Sequence, residues 1–436
     1  MYRHHKSRLP GCFLYLRPHR MLRYLSVMFK MLSGTLPWEN DSSDDEALLL
    51  FSLNNNNKQK RKWVHEVNME RKKFGEFHHL LKQLRKDELK FKEYFRMSMK
   101  QFDQLLSIIK KNIEKKELNL RESIPAEERL AVCLRFLATG NSFRSLAFNY
   151  RMGRSTISNI VEEVCEALWK ILQPIVMPDP NEEIWRASEK VFKEKWNFPH
   201  CVAAIDGKHV RIKAPAHKGS EFFNYKKYHS VVLLALVDGN KKFICVDVGQ
   251  YGRANDASVY SNSTIGKRLS SLCMGIPPDE DLGGRNLPYV IVGDEAFPLK
   301  KYLMRPYPRS ARRLREDERI FNYRLSRSRN TVENTFGILA NTWRVYHSPL
   351  ECRIELADKI ILATVVLHNY TRQLTTQTNL ANVEEQTNET NVFIPMRIGT
   401  SSNSSREALN VRNLFKEYFI SNEGRVEWQQ GIYNNK

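Results

Sequence analysis

Along residues 66–116 apolar positions recur at intervals of three and four inside a heavily charged background, with Phe91, Phe95, Met99, Phe102, Leu105 and Leu106 on one stripe, and the spacing predicts helices. From Pro125 the pattern AEERLAVCLRFLATGNSFRSLAFNYRMGRSTISNIVEEVCEALWKIL reads as a helix to Thr139, a Gly140-Asn141 stop, a short helix capped by Ser142, a turn at Gly153 and a long helix. Ile157, Ile160, Val161, Val164 and Leu168 form the inward stripe of that last helix. The order is that of a helix-turn-helix, over residues 128–172. Its exposed face offers Arg154, Ser155, Ser158 and Asn159, side chains that reach phosphates and base edges. A plain three-helix bundle fits the same pattern.

Past Pro174 the period shortens, and a domain boundary is expected near residues 178–180. Strands are predicted over residues 202–212, 231–237, 242–248 and 289–292, with a helix after Asn255 and long helices at the end. Three successive strands followed by alternating helix and strand indicate an α/β fold built on a mixed sheet.

Two Asp-Gly pairs interrupt these strands. In CVAAIDGKHVRIKAP, residues 201–215, the pair is Asp206-Gly207; in VVLLALVDGNKKFICVDVG, residues 231–249, it is Asp238-Gly239. Asp-Gly between alternating strands signals a hairpin, and Asp238 fits that role fully. Asp206 is open to two readings, a turn residue or a ligand. In PYVIVGDEAFPLKKYL, residues 288–303, the strand ends at Asp294 and the chain is expected to turn through Pro298 into a helix. The carboxyl end of a strand is where α/β sheets bind ligands, though a helix N-cap also suits Asp294. In SRNTVENTFGILANTWR, Glu333 lies one residue off the apolar stripe of Val332, Phe336, Leu339 and Trp343, with Arg329 one turn earlier as an ion-pair partner. Three acids converging at one sheet edge suit a hard divalent cation, and two such ions can stabilise both oxygens of an in-line phosphoryl displacement without a nucleophilic side chain.

Charge narrows the partner. Lys and Arg number 69 against 49 Asp and Glu in 436 residues, a formal net charge of +20, and the pI is near 9.6. Such an excess suits a densely anionic partner, double-stranded DNA first. Between the second and third acids lies a basic run that includes Arg312, Arg313, Arg315, Arg327 and Arg329, interleaved with tyrosines, and it reads as a surface for gripping phosphates. The apolar runs at residues 231–237 and 360–367 are far shorter than the roughly 20 residues of a membrane span. Seven scattered cysteines without a C-x-x-C pair exclude a zinc knuckle and read as reduced thiols.

The expected organisation is a basic arm and linker over 1–62, a helical region over 63–177, a catalytic domain over 178–374, and a Ser/Thr/Asn/Gln-rich tail over 375–436. Within the tail, residues 407–419 resume helical spacing and dock either on the core or on a second subunit, the latter giving a homodimer. The basic cluster KQKRK at residues 58–62 reads as a nuclear import signal; the acid-free first 38 residues also resemble a mitochondrial transit peptide.

These segments carry a family likeness. AIDGKHVRIKAP, FFNYKKYHSVVLLALVDGNKKFICVDVGQYGRANDASVY, VGDEAFPLKKYLMRPYP and FNYRLSRSRNTVENTFGILANTWR resemble, in that order, PIF/Harbinger-type DDE transposases and their domesticated nuclease relatives. The likeness covers most of residues 63–429, and separations of 88 residues from Asp206 to Asp294 (294 − 206) and 39 from Asp294 to Glu333 (333 − 294) agree with an RNase H-like core. The resemblance implies a metal-dependent DNA endonuclease with Asp206, Asp294 and Glu333 as the catalytic triad. Two Mg²⁺ or Mn²⁺ ions are implied, Asp206 bridging them, and strand transfer can follow cleavage. It also implies a nuclear protein working with a Myb-like or trihelix companion, and a cytoplasmic one without it. A domesticated, non-catalytic DNA-binding protein that retains the fold is the competing reading. His209 matches a family position, as a residue orienting substrate or satisfying the sheet edge, and Asp256 reads as a helix cap beside the site. Lys208, after Asp-Gly, and Ala340 depart from the family's small polar residue and lysine.

Overall fold

The structure is a computed structural model that describes residues 64–116, 122–215, 219–254, 256–308, 314–377, 392–395 and 404–429. The expectations for residues 1–62, together with Arg312 and Arg313, lie outside the described residues.

Helices α1 (Glu76–Leu84), α2 (Glu88–Phe95) and α3 (Met99–Ile113) follow the predicted stripe, and Phe91, Phe95 and Phe102 pack ring against ring in their core. Local chemistry starts the second and third: Asp87 caps α2, and Ser98 with Gln101 forms a reciprocal capping box on α3. Helices α4 (Ala126–Thr139), α5 (Phe143–Asn149) and α6 (Arg154–Val176) take the helix-turn-helix order. Ser142 Oγ accepts from Ser145 N at 3.2 Å as the sequence predicts. The turn into α6 works differently from its prediction. Gly153 has an ordinary φ of −67°, and the left-handed residue is Arg151, with φ 49°.

Helix α7 (Glu182–Trp196) leads into the sheet, whose central strand β1 spans Cys201–Arg211. It is joined by β2 (Ser230–Val237), β3 (Phe243–Tyr251), β4 (Val290–Val292), β5 (Leu303–Met304) and β6 (Ile394–Pro395). The order is β3-β2-β1-β4-β5, with β6 pairing to the part of β1 that extends beyond β4. Pairing of β1 with β2 is antiparallel and unbroken from Ala204↔Val237 to Arg211↔Ser230, passing through Asp206↔Ala235 and Gly207↔Leu234. The first Asp-Gly pair is therefore inside a continuing strand. The second is the hairpin: Asp238 Oδ1 accepts from Asn240 N at 2.9 Å and from Lys242 N at 2.7 Å.

Strand β4 runs parallel to β1, and β5 runs parallel to β4, with Ile291 opposite Leu303. That edge strand corrects the helix expected after Pro298. Lys300 and Leu303 exchange backbone hydrogen bonds in a tight loop, which delivers the buried Leu303 and Met304 to the sheet edge. The mixed sheet, with helices on both faces, is consistent with the RNase H-like class. On one face lie α10 (Glu316–Thr342) and α11 (Ile354–Gln377); on the other, Trp185 of α7 with α8 (Asp256–Asn262) and α9 (Thr264–Ser270). One apolar cluster runs from Leu81 through the bundle to Phe336, so the helical region and the sheet share a core.

Helix α12 (Arg406–Ile420) docks back on this core, where Phe415 and Phe419 meet Phe198 and Phe321. Among the described residues no helix is long and apolar enough to cross a membrane.

Candidate active site

Alternation along β1 places Asp206 and Lys208 on the sheet face covered by α10. Asp206 Oδ1 accepts from the N–H of Gly207 at 2.8 Å. Its Oδ2 is buried without an aligned hydrogen-bond donor and lies 2.8 Å from the ammonium of Lys208. Asp294 comes two residues after β4, and its Oδ1 accepts from Ala296 N at 3.0 Å, closing a turn. Burial pushes the Asp294 carboxyl above its usual pKa, and the neighbouring charge of Asp206 adds to this, while Arg329 and Lys208 oppose it. The two aspartates are thus electrostatic neighbours, although 88 residues separate them (294 − 206).

Glu333 projects from α10 beside the same edge, one position off a stripe in which Val332, Phe336 and Leu339 are buried. Its Oε1 accepts from Arg329 Nη2 at 2.5 Å. Burial disfavours the Lys208 ammonium, but Asp206 and then Glu333 outweigh it and hold its pKa above the ordinary lysine value. Asp206, Lys208, Asp294, Arg329 and Glu333 therefore form one charged cluster. Among the described residues no three acids, histidines or cysteines stand close enough to grip a metal ion as they are placed. The donor set nevertheless suits a hard cation at Asp206 and Asp294: oxygen ligands, partly desolvated, one with a buried oxygen that lacks an aligned donor. Glu333 stands beside them with its Oε1 engaged by Arg329.

Residues 205–369, which contain all three acids, match the family described as DDE superfamily endonuclease. The chain carries a Harbinger-type DDE domain. Residues 73–170 match a domain of unknown function. The chain is 28% identical over 309 residues to "Protein ALP1-like" of Arabidopsis thaliana, covering 67% of this chain and 73% of that protein. It is 24% identical to "Putative nuclease HARBI1" of Homo sapiens, over 68% of this chain and 82% of that one. No solved structure gives a significant match.

Around the DDE domain's acids the predicted supporting residues are scattered. His209 points to the opposite sheet face, buried, with Nδ1 2.9 Å from Ser230 Oγ, which accepts a hydrogen bond from Asn224 Nδ2. Burial, with Lys226 and Lys208 nearby, pushes its pKa down to about 4. Asp256 opens α8, and its side chain lies outside the described residues. Arg154, Ser155, Ser158 and Asn159 line a cleft of about 740 Å³ whose far wall includes Lys213 and Arg353. The face singled out for base contacts is thus turned toward the DDE domain's own loops.

Of the basic run, Arg315 bonds Asp317 at 3.1 Å, Arg327 lies 4.7 Å from the Trp428 ring, and Arg329 holds Glu333. Two further residues have roles that the sequence does not display, Lys208 and Arg324, the second of which belongs by position to the basic run between the second and third acids. Lys208 was noted only as a departure, although a two-residue offset on a strand was enough to place it beside Asp206. Arg324 carries no local signal at all, because its partners, Gly424 and Phe419, come about a hundred residues later.

Proposed function

We propose that this chain is a divalent-metal-dependent DNA endonuclease in which Asp206, Asp294 and Glu333 are the catalytic carboxylates. The observation that carries this reading is the parallel register of β1 and β4, in which Ala204 stands opposite Val292 and Asp206 and Asp294 each follow two residues later; there like charges repel and a bound cation relieves the repulsion. Asp206, fixed in the central strand, and Asp294, fixed by the Ala296 N–H, each have one oxygen committed to the backbone, and the second oxygen of Asp206 is paired with Lys208 rather than with the backbone. Glu333 completes the set by exchanging Arg329 for the ion. Mg²⁺ or Mn²⁺, two ions in this reading, would supply an activated water and neutralise the attacking and leaving oxygens of a phosphodiester.

Double-stranded DNA is the proposed substrate, supported by the +20 formal charge, and the nucleus is the proposed compartment. The name of one relative, "Putative nuclease HARBI1", agrees with the reaction class. A second reading, a DNA-binding protein without activity, draws on the cations Lys208 and Arg329, which neutralise two of the three acids. Nicking of supercoiled plasmid with Mg²⁺ or Mn²⁺ separates the two. The endonuclease reading expects nicking by wild type and none by an Asp206→Ala, Asp294→Ala double variant. Equal nicking by both overturns it, and DNA retention without nicking by either moves the assignment to the second reading.

A further inference from the structure

Lys208 occupies an unusual place for a lysine. Its Nζ lies 2.8 Å from Asp206 Oδ2, and the two side chains are only 11% and 6% exposed. The ammonium is 5.9 Å from the centre of the Phe336 ring, so aromatic surface from α10 covers it on one side. Its electrostatic neighbours beyond Asp206 are Glu333, which attracts it, and Arg329, which repels it. The pair is not an ideal hydrogen bond, since Oδ2 has no aligned donor. Buried pairs of this kind are poor devices for stability, because desolvation of both ions offsets their attraction. A positive charge at Oδ2 also stands where a metal ligated by Asp206 would have to stand.

We propose that Lys208 is a displaceable internal counter-ion, which holds Asp206 when no metal is bound and must leave Oδ2 when one arrives. The inference rests on the reading of Asp206 as a metal ligand and adds a residue to it. Metal affinity is then set by competition between two cations for one carboxylate oxygen. Lys208 does this from within the strand that carries the ligand. Its packing under Phe336 returns it to the same place whenever the ion departs. Arg329 plays the corresponding part at Glu333 from a more exposed position, which explains why two of the acids face cations of the chain itself.

Mn²⁺ binding to the full chain, followed at pH 8 by the paramagnetic resonance of the free aquo ion, tests this without reference to activity. Four proteins are compared: wild type, Lys208→Ser, Lys208→Arg and Asp206→Asn. Lys208→Ser is expected to bind at least about tenfold more tightly than wild type, since removing a competing unit charge at contact is worth about that much. Lys208→Arg is expected to stay close to wild type, and Asp206→Asn to lose the site. Circular dichroism of the metal-free proteins reports folding, and Lys208→Met, which keeps the stem against Phe336, replaces the serine variant if that one does not fold. Equal or weaker Mn²⁺ binding on loss of the Lys208 charge overturns the counter-ion role and leaves the metal site standing. Absence of binding in every protein overturns both.

Discussion

Arg329 and Glu333 are joined at 2.5 Å across one turn of α10, with Glu333 43% exposed and Arg329 20% exposed. An exposed pair at this spacing contributes about 0.5 kcal/mol or less to stability. Glu333→Gln should therefore shift the unfolding free energy by no more than about 0.5 kcal/mol in urea titrations. If Glu333 ligates metal, the same substitution should lower metal-dependent nicking by about 100-fold or more. A purely structural glutamate would give the reverse, a measurable loss of stability with nicking retained.

Asp358 on α11 offers a pH test away from the site. Burial, helped by Glu355, pushes its carboxyl up to about 6, and its Oδ1 has no hydrogen-bond partner. The folded state holds that proton more tightly than the unfolded chain does, where the ordinary value is 3.8. The stability contributed is complete below the unfolded value and is lost as pH rises through about 6. Asp358→Asn should melt about 2 °C or more above wild type at pH 7.5, with the gain vanishing near pH 3.5, as scanning calorimetry at both values can show.

The hairpin at Asp238 depends on its glycine for space rather than for backbone freedom. A Cβ at Gly239 would lie 2.7 Å from Val191 Cγ1 and 3.2 Å from Phe192 N, both on α7. Gly239→Ala should cost about 1–3 kcal/mol, read from urea midpoints, because α7 has to yield.

Arg324 is buried, donates to Gly424 O at 2.8 Å and lies 4.3 Å from the Phe419 ring. Arg324→Met should expose residues after 404 to limited proteolysis and lower stability by about 2–4 kcal/mol. Its DNA affinity should stay within about twofold of wild type, because a buried cation makes no phosphate contact. A large loss of affinity in filter binding would return Arg324 to the phosphate-gripping run.

Periodicity carried most of the fold, because β1, β2 and the long helices bury whole stripes that a single sequence displays. The Asp238 hairpin was equally plain, since its turn chemistry is local. Strand β5 was hidden because its two residues are recruited by pairing with β4 across a loop, and no period can show in so short a segment. The left-handed residue Arg151 was missed because a nearby glycine made a better local candidate. The acids themselves were visible from their elements, but the cations facing them were not weighed. Arg329 was considered as a partner for Glu333 and as one of the phosphate-gripping run, and Lys208 only as an oddity of sequence. What pairs with Arg324 and Arg327 is decided by tertiary contacts with Phe419 and Trp428.

Strand β6 has a consequence for how the molecule is made. Ile394 and Pro395 pair with His209 and Lys208, and Phe393 packs on Phe336 and Tyr346. During synthesis β1, β2 and β4 emerge from the ribosome long before residue 394 does, so this stretch of β1 spends that interval as an open strand edge. Such edges adhere to other chains. A message cut short between the end of α11 and residue 392 would encode all three acids yet leave that edge without its partner strand, prone to sticking to its own copies.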